Sequence, residues 1–589
     1  MARNKYDIDE RLETPFDFGH LKRALVYVKR YKLSMVAAFA LSLVSNIVVL
    51  FVPMITQYAL DDSIPNKNIP QLLLFSGLLL LCIVVSVILA QQRAKITAKV
   101  GMNIITDIRQ DLFDHLQQLP FAYYDSRPHG KILVRVINYV NAVSDMLSNG
   151  IINFILEIFN LIFIAIFMFI TSPTLALFIL SGLPVLVVVM FLLKPAQRRA
   201  WQANSNKSSN LNAYLQESIS GMRITQGFTR EEENRTIFGR LAAECKRMWM
   251  RAVRISNLVP FSIDNISQIV SALFYAAGIL WMVPAVTFGV IAAMGQYAWR
   301  FWQPITALSN LYNNFINTIA YLERIFETMD EPVTVADLPG AAALPPVTGN
   351  VEFDHVCFEY DEGIRVLDDV SFTVNAGESV ALVGPTGAGK STIINLLSRF
   401  YNLTDGRIFI DGTDIAGVTL SSLRQSMGIM LQDSFVFSGT ILDNILYGKL
   451  DATMEEVQRA CQIVKADSFI EEMKDGYQTQ VNERGTRLSS GQKQLLSFAR
   501  TLLSDPKILI LDEATSSIDT KTEKLLQEGL RGLLAGRTSF IVAHRLSTIK
   551  SCDKIMYIDA GKIVECGSHD ELIAKRGAYY RLYTAQLDA

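Results

Sequence analysis

The sequence predicts an all-α membrane domain with six spanning helices, followed by an α/β domain built around a phosphate-binding loop. Half of the 589 residues are hydrophobic, the mean hydropathy is +0.26, and only 19% of residues are charged, below the roughly 25% of soluble domains. After residue 350, short β-rich runs alternate with helical segments, which is typical of a largely parallel sheet. We therefore expect a membrane domain at 1–331, a Pro- and Gly-rich linker at 332–349 and the α/β domain at 350–589.

Six apolar stretches reach the roughly 20 residues that a bilayer core requires. They lie at 33–56, 71–92, 146–170, 174–194, 257–280 and 285–305. Two polar insertions, 93–145 and 195–256, are rich in Lys and Arg and keep helical periodicity. The positive-inside rule places these insertions in the cytoplasm. The prediction is a multi-pass protein of the cell membrane, with both termini and the α/β domain cytoplasmic and with the spans continuing beyond the bilayer.

The segment 16–30 has apolar residues at helical spacing, with Lys and Arg between them. The apolar positions are Phe18, Leu21, Leu25 and Val28. This pattern predicts a short amphipathic helix lying on the membrane lipids of the inner leaflet. A solvated helix is the alternative.

Charge and cysteine content exclude two other classes of function. The formal net charge is −2, so no global basic field invites nucleic acid, and we expect none as a partner. The six cysteines include no Cys-x-x-Cys pair, which argues against a zinc site or a disulfide framework.

A complete phosphate-binding motif occupies residues 384–391. The loop reads Gly384, Pro385, Thr386, Gly387, Ala388, Gly389, Lys390 and Ser391, with Thr392 following. An apolar strand is expected before it at 379–383 and a helix after it at 392–400. The glycines let backbone N–H groups wrap the phosphates, Lys390 is expected to reach the β- and γ-phosphates, and Ser391 is expected to ligate Mg²⁺. The motif predicts ATP and Mg²⁺ as cofactors.

Two acidic residues follow a second apolar run. Residues 508–511 predict a buried parallel strand, after which come Asp512 and Glu513. Asp512 is expected near Mg²⁺. Glu513 lies outside the strand and is expected to polarise the attacking water as a general base.

Residues 350–589 resemble the nucleotide-binding domain of ABC transporters, and the six-span region resembles exporter-type half-transporters, so the resemblance covers essentially the whole chain. Its most specific motif reads Leu488, Ser489, Ser490, Gly491 and Gln492. In the family this signature comes from a partner domain and closes over the γ-phosphate. The resemblance implies that Ser489, Gly491 and Gln492 bind the nucleotide of a second half-transporter, where a helix N-terminus adds to the anion site.

The resemblance implies roles for three further residues. Tyr360 matches the aromatic that stacks on adenine, with a core tyrosine as the alternative. Gln432 matches the glutamine that contacts Mg²⁺ and the attacking water. His544 matches the switch histidine that holds the γ-phosphate and Glu513, although a lone histidine is often structural.

Two positions depart from the usual family pattern. Ser490 and Asn482 stand where glycine is common. Such changes occur in heterodimeric exporters, in which one ATP site is degenerate. They favour a paralogous partner over a second copy of this chain, and both stay open.

The sequence therefore predicts an ATP-hydrolysing half-transporter that dimerises and exports a lipophilic compound, lipid or peptide by alternating access. An importer on the same fold, for example of a metal chelate, is the alternative. The six spans argue against a soluble ATPase of the same class, and an ATP-regulated channel would show passive flux that persists in Glu513→Gln. Residues 121–130 and 212–221 are expected to form short coupling helices at the tips of the insertions.

Polar residues within the spans are candidates for the substrate cavity. They are Glu157, Asp264, Asn265, Gln268, Gln296, Arg300 and Gln303. Helix–helix pairs, such as an acid that compensates Arg300, are the alternative.

Overall fold

A computed structural model describes residues 18–127, 129–280, 286–360, 363–430, 434–482, 485–512, 520–543 and 545–587. The chain divides into two compact units. The first comprises 1–117 and 129–331, and the second comprises 118–128 and 332–589. The short segment 118–128 thus interrupts the first unit and belongs to the second.

The described residues of the first unit form helices. These are α1 (Phe18–Arg30), α2 (Lys32–Tyr58), α3 (Ile69–Leu116), α5 (His129–Val134), α6 (Val140–Asp145), α7 (Ile151–Thr171), α8 (Pro173–Leu180), α9 (Gly182–Ser220), α10 (Met222–Gly227), α11 (Glu231–Leu280) and α12 (Phe288–Met329), with α4 (Phe121–Ser126) in the second unit. Short π-helical stretches at Ala59–Ser63, Arg135–Tyr139 and Met146–Gly150 continue α2 and join α5, α6 and α7.

Five helical segments in the described residues are long and apolar enough to cross a membrane. They are Lys32–Ser63, Ile69–Leu116, Ile132–Thr171, Pro173–Ser220 and Glu231–Leu280. At 1.5 Å per residue the longest are about 70–75 Å long, more than twice the ~30 Å hydrocarbon core. They therefore extend well beyond a bilayer, as the periodicity of the polar insertions predicts.

Helix α12 is long but is not among these five. Its first half carries Gln296, Arg300 and Gln303, which lower its hydropathy. It still belongs to the packed bundle, because Tyr297 is fully buried and its hydroxyl donates to the carbonyl of Leu50 at 2.8 Å. The sixth span stays a prediction, and its start at residue 285 lies outside the described residues.

Helix α1 packs against other parts of its own unit through one face. Tyr27 is buried and donates to Asp111 at 2.8 Å, and Ala24 is fully buried, whereas Leu25 is exposed. Two of its arginines form ion pairs with acids of the same unit: Arg23 with Asp330 at 2.6 Å and Arg30 with Asp107 at 3.2 Å. Helix α1 thus packs on its own unit through Ala24 and Tyr27, and its placement on the membrane surface stays a prediction.

The described residues of the second unit form twelve strands. They are β1 (Val351–Glu359), β2 (Arg365–Val374), β3 (Ser379–Val383), β4 (Asp405–Ile410), β5 (Thr413–Asp414), β6 (Met427–Met430), β7 (Gly439–Thr440), β8 (Gln480–Val481), β9 (Ile508–Asp512), β10 (Thr538–Val542), β11 (Lys554–Asp559) and β12 (Lys562–Gly567). Its later helices are α13 (Lys390–Leu397), α14 (Leu420–Gln425), α15 (Ile441–Leu446), α16 (Met454–Ile463), α17 (Asp467–Glu471), α18 (Ser490–Leu503), α19 (Thr520–Leu534), α20 (Leu546–Lys550), α21 (His569–Lys575) and α22 (Ala578–Leu587).

The central sheet has the order β12-β11-β3-β10-β9-β6 and is parallel except for β12. This confirms the predicted largely parallel sheet. The register aligns Val542 at the end of β10 with Leu382 of β3 and Asp512 of β9. The carboxyl ends of these strands therefore meet at one edge, which is where open α/β sheets bind ligands.

Two predicted strands belong to a separate sheet. The runs at 351–353 and 406–410 lie in β1 and β4, which pair antiparallel in a four-stranded sheet of order β2-β1-β4-β5. The two sheets share one apolar core, in which Phe353 of β1 and Phe540 of β10 are both buried. This core fixes the central sheet beneath the phosphate-binding loop.

Candidate nucleotide site

The phosphate-binding loop follows β3 and leads directly into α13. Gly384 and Gly389 have φ angles of +143° and +106°, which side chains rarely tolerate. A Cβ at Gly384 would clash with the carbonyl oxygen of Ile558, and one at Gly389 would lie 2.7 Å from Leu367. Gly387 also has a positive φ, +82°, but no atom lies within 4 Å of its missing Cβ. The loop is thus packed on one side and open on the other.

Lys390 is the first residue of α13 and is buried. Its Nζ donates to the carbonyl oxygens of Gly384 and Pro385, both at 2.8 Å. Burial lowers the pKa of the Lys390 ammonium, and the nearby Asp512 carboxylate opposes this shift. The cation therefore lies folded over the loop, and its contacts are weak carbonyl partners that a phosphate can replace.

The structure brings Ser391 and Asp512 together, as the sequence predicts for a metal site. The Ser391 hydroxyl lies 3.4 Å from the Asp512 carboxylate. Both supply oxygen atoms, the donors that Mg²⁺ prefers, and such sites are completed by water and substrate phosphates. In the described part of the chain, no group of three or more His, Cys, Asp or Glu residues is arranged to hold a metal ion. These two residues thus fit an ion that the nucleotide helps to hold.

Tyr360 stands beside the loop with 45% of its surface exposed. Its hydroxyl lies 3.2 Å from Oγ1 of Thr392. The rings of Phe358 and Tyr401 approach it edge-on, with centroids at 4.7 and 5.1 Å. The ring is therefore held by its edges, and the buried Thr392 serves to orient it.

The signature motif forms the capped start of α18. The amide of Gln492 donates to the Ser489 hydroxyl at 3.2 Å, and the amide of Ser489 donates to Oε1 of Gln492 at 2.9 Å. Sequence reasoning missed this reciprocal capping box, although Ser-x-x-Gln is its known pattern. Ser489 and Ser490 are exposed, whereas Gly491 is buried. The side chain of Gln492 is thus engaged within its own chain.

The structure does not join the signature to the phosphate-binding loop. No hydrogen bond among the described residues links 488–492 with 384–391. The Ser489 hydroxyl accepts one bond, which leaves its proton free to donate. Among the described residues of one chain, the signature and the phosphate-binding loop are therefore not joined by a hydrogen bond.

Three predicted residues, Gln432, Glu513 and His544, lie outside the described residues. The strands that precede them, β6, β9 and β10, are neighbours in the central sheet and end at the same edge. Their roles stay predictions.

The segment 118–128 packs within the second unit. In α4, Phe121 stacks on Phe400 with ring centroids 4.9 Å apart, and Asp125 accepts a hydrogen bond of 2.6 Å from the Tyr401 hydroxyl. Tyr123 is buried, with the Arg127 guanidinium 4.3 Å from its ring centroid. The short helix expected at 121–130 is thus observed at Phe121–Ser126.

The second expected short helix is placed differently. Residues 212–220 form the last turns of the long helix α9. The separate short helix is α10, which begins at Met222 after one intervening residue. In and after α10, Ile224 and Phe228 expose 68% and 75% of their surface. The expectation of a short helix at 212–221 is therefore wrong, because the apolar periodicity there belongs to the end of α9.

The chain combines a phosphate-binding loop, a carboxylate at the end of β9 and a capped signature helix with several helices of membrane-spanning length. This combination defines an ATP-driven membrane transporter. Residues 35–303 match the family described as ABC transporter transmembrane region, and residues 367–516 match the ABC transporter family. The chain belongs to the ABC transporter family as an exporter-type half-transporter with fused transmembrane and nucleotide-binding domains, and it couples ATP hydrolysis to transport.

Full-length relatives support this assignment. The chain is 41% identical over 593 residues to an uncharacterized ABC transporter ATP-binding protein of Bacillus subtilis, with 100% of this chain and 98% of the relative covered. It is 39% identical over 481 residues to a fatty acid ABC transporter ATP-binding/permease protein of Mycobacterium bovis, with 81% and 76% covered. It also matches the structure of a bacterial Atm1-family ABC exporter with ATP bound, with a TM-score of 0.79, 29% identity, and 94% and 98% covered.

Proposed function

We propose that this chain dimerises, with a paralogous half-transporter or with a second copy, so that each phosphate-binding loop faces the partner's signature. The observation that carries the proposal is the start of α18: Ser489 and Ser490 are exposed at the N-terminus of a largely buried 14-residue helix. Such a terminus attracts anions. No described hydrogen bond connects it to the loop of its own chain. A γ-phosphate bound to the phosphate-binding loop of one chain would also contact the signature of the other chain.

At that site Lys390 would bind the β- and γ-phosphates, and Ser391 and Asp512 would hold Mg²⁺. The metal would neutralise phosphate charge and orient the nucleotide. Glu513 would act as the general base for the attacking water, and Gln432 and His544 would position water and γ-phosphate. Tyr360 would stack on adenine. Gly491 would contribute through its backbone amide, whereas Gln492 would act by fixing the Ser489 cap.

Closure and release of the ATP sites would drive alternating access. The contacts of Phe121 and Asp125 support a role for α4 as one coupling helix. The exposed apolar residues Ile224 and Phe228 support α10 as the other. The long helical extensions, the nucleotide-binding domain and both termini would then lie in the cytoplasm, as the Lys and Arg content of the insertions favours.

The substrate is proposed to be a lipophilic or amphipathic compound, a lipid or a peptide. The relative named as a fatty acid transporter supports the amphipathic class. Export is favoured over import, because the matched structure is an exporter. ATP-dependent accumulation of substrate in inside-out vesicles would support export, and loss of preloaded substrate would support import.

The decisive experiment replaces the proposed base with Glu513→Gln in the purified complex. MgATP should still bind and a closed dimer should accumulate, while ATP hydrolysis falls by at least about 100-fold, since general-base catalysis is worth roughly 10²–10⁴. Glu472→Gln, the same change at an exposed acid of this unit, should leave hydrolysis unchanged. Near-normal hydrolysis in Glu513→Gln would show that the working site is elsewhere.

A further inference from the structure

We propose that a pocket between α2, α7 and α12 binds the zwitterionic head group of a transported amphiphile: an acidic group together with an ammonium or amide N–H a few atoms away. This inference rests on the proposed transport function and names the chemistry of its substrate. The pocket lies within the first unit, has a volume of about 370 Å³, and falls in the range of roughly 300–1,000 Å³ of small-molecule sites.

Polar groups converge on the pocket from all three helices. They are Asn46 of α2, Glu157 and Asn160 of α7, and Arg300 and Gln303 of α12. Aliphatic residues such as Leu50 and Ile164 complete its wall. A few converging polar groups within an apolar lining are typical of ligand sites, and ionisable residues within membrane spans are functional candidates.

Two prolines each remove one backbone hydrogen bond from the helices that line the pocket. Pro53 lies inside α2 and has no N–H, so the carbonyl of Val49, four residues earlier, loses its helical donor. The Arg300 guanidinium replaces that donor, with Nη1 at 3.3 Å from the Val49 oxygen. Pro304 lies inside α12 and removes the helical donor of the Arg300 carbonyl in the same way. Pro53 thus explains why the guanidinium is anchored at this wall.

The acid and the base of the pocket do not pair with each other. Glu157 and Arg300 both line it, yet no ion pair of 4.0 Å or less joins them. Glu157 accepts from the Asn160 amide at 3.3 Å, and Val49 is the hydrogen-bond partner of Arg300 in the described part of the chain. A guanidinium has five donors and a carboxylate about four acceptor positions. Most of the capacity of both groups is therefore available to an occupant.

A zwitterion is the ligand class that satisfies both groups. A simple carboxylate would compensate Arg300 and leave the half-buried Glu157 beside a second acid, which costs free energy. An amine would leave Arg300 without an anion. An acidic group at Arg300 and an N–H donor at Glu157 compensate both charges, while the tail lies among the apolar spans.

The test uses the full-length transporter in phosphatidylcholine nanodiscs and four radiolabelled probes with the same dodecyl chain: N-dodecylglycine, dodecanoate, dodecylamine and dodecanol. Equilibrium binding is measured without nucleotide. N-dodecylglycine should bind at least tenfold more tightly than dodecanol. Arg300→Gln should weaken N-dodecylglycine and dodecanoate at least tenfold and should not weaken dodecylamine, because a like charge is removed from its site. Glu157→Gln should weaken N-dodecylglycine and dodecylamine and should tighten dodecanoate, because the second acid is removed.

A matched control is Glu217→Gln, which changes an exposed acid of α9 that does not line the pocket, and it should not alter binding of any probe. Arg300→Lys keeps the positive charge, so it should lose less affinity for N-dodecylglycine and dodecanoate than Arg300→Gln. An equal loss of affinity for all four probes in both Arg300→Gln and Glu157→Gln would overturn the proposal. So would a double variant Glu157→Gln/Arg300→Gln that melts at a higher temperature than either single variant, because that result identifies a helix–helix ion pair.

A further arm separates the two sources of such a head group. Replacing phosphatidylcholine by phosphatidylethanolamine, which carries N–H donors, should abolish probe binding if the occupant is a bilayer lipid, and should leave it intact if the occupant is another transported amphiphile. Either result supports the zwitterion chemistry. Because binding needs no hydrolysis, normal turnover in Glu513→Gln would refute the proposed ATP site without touching this test.

Discussion

The Tyr401 hydroxyl donates a 2.6 Å hydrogen bond to the carboxylate of Asp125. Burial, and then this bond, raises the pKa of Tyr401, so the phenol stays protonated as a donor. The Tyr401 ring lies edge-on to Tyr360, with centroids 5.1 Å apart, and the Tyr360 hydroxyl contacts Thr392. A continuous set of contacts therefore connects α4 with the start of the helix that follows the phosphate-binding loop.

Tyr401→Phe should weaken coupling rather than nucleotide binding. The ring contacts with Tyr360 are kept, and only the bond to Asp125 is lost, which costs about 1 kcal/mol. That energy corresponds to roughly a fivefold change in an equilibrium, so substrate transported per ATP should fall several-fold while the Kd for MgATP changes little. Transport and hydrolysis measured on the same proteoliposomes give this ratio. Tyr447→Phe, at a tyrosine with 61% exposure, is the control, and an unchanged ratio in Tyr401→Phe would contradict the link.

Two substitutions of Tyr360 separate stacking from hydrogen bonding at the proposed adenine position. Tyr360→Leu removes the ring and should weaken ATP binding about tenfold, because base–aromatic stacking is worth roughly 1–3 kcal/mol. Tyr360→Phe keeps the ring and loses the contact with Thr392, so its loss should be smaller than threefold. Equilibrium binding of a fluorescent ATP analogue measures both. Equal weakening in the two variants would indicate that the hydroxyl, and not the stack, matters.

Local chemistry made most of the nucleotide site predictable. The glycines of the loop, Lys390 and the strand before Asp512 follow from short-range rules, since each depends on neighbours within a few residues. The parallel sheet followed from β-rich runs that alternate with helices. The Ser489–Gln492 capping box was equally local and was overlooked because the same residues carried a functional interpretation.

Long-range contacts explain what the sequence did not show. The contacts of α1 with Asp107, Asp111 and Asp330 join residues that are distant in sequence, so helical spacing alone did not show them. The bond between Arg300 and the Val49 carbonyl depends on Pro53, a residue that the sequence marks only as an interruption of a span. Such partners become visible only when helices are packed together.

Lys390→Ala should remove the main cation of the loop. Its ammonium group now contacts two carbonyl oxygens, and phosphate is a far stronger partner because both groups are charged. The Kd for MgATP should rise at least about tenfold, since a hydrogen bond to a charged group contributes roughly 1.5–3 kcal/mol. Lys474→Ala, at an exposed lysine of the same unit, should bind ATP normally. Calorimetric titration distinguishes the two, and normal affinity in Lys390→Ala would refute the assignment.

Asp411 should make the linker junction sensitive to acid. Its carboxylate accepts bonds from the backbone amides of Thr348, Gly349 and Asn350 at 2.6, 3.2 and 2.9 Å. Burial alone would raise the pKa of Asp411, but the hydrogen bonds from Thr348 and from these amides outweigh it and lower the pKa from 3.8 to about 2. A depressed folded-state pKa gives stability that is present above about pH 4 and lost as the pH falls towards 2.

Replacing this carboxylate by Asp411→Asn should therefore destabilise the protein by about 1 kcal/mol near neutral pH, after allowance for solvent screening at a largely exposed group. The difference from the unchanged protein should shrink as the pH is lowered from 4 to 2, because the native carboxylate then becomes protonated as well. Melting temperatures of the full-length protein in detergent, measured across this range, give the comparison. Asp475→Asn, at an exposed acid of the same unit, should show no such trend. A difference that stays constant with pH would mean that the charge of Asp411 does not stabilise the junction.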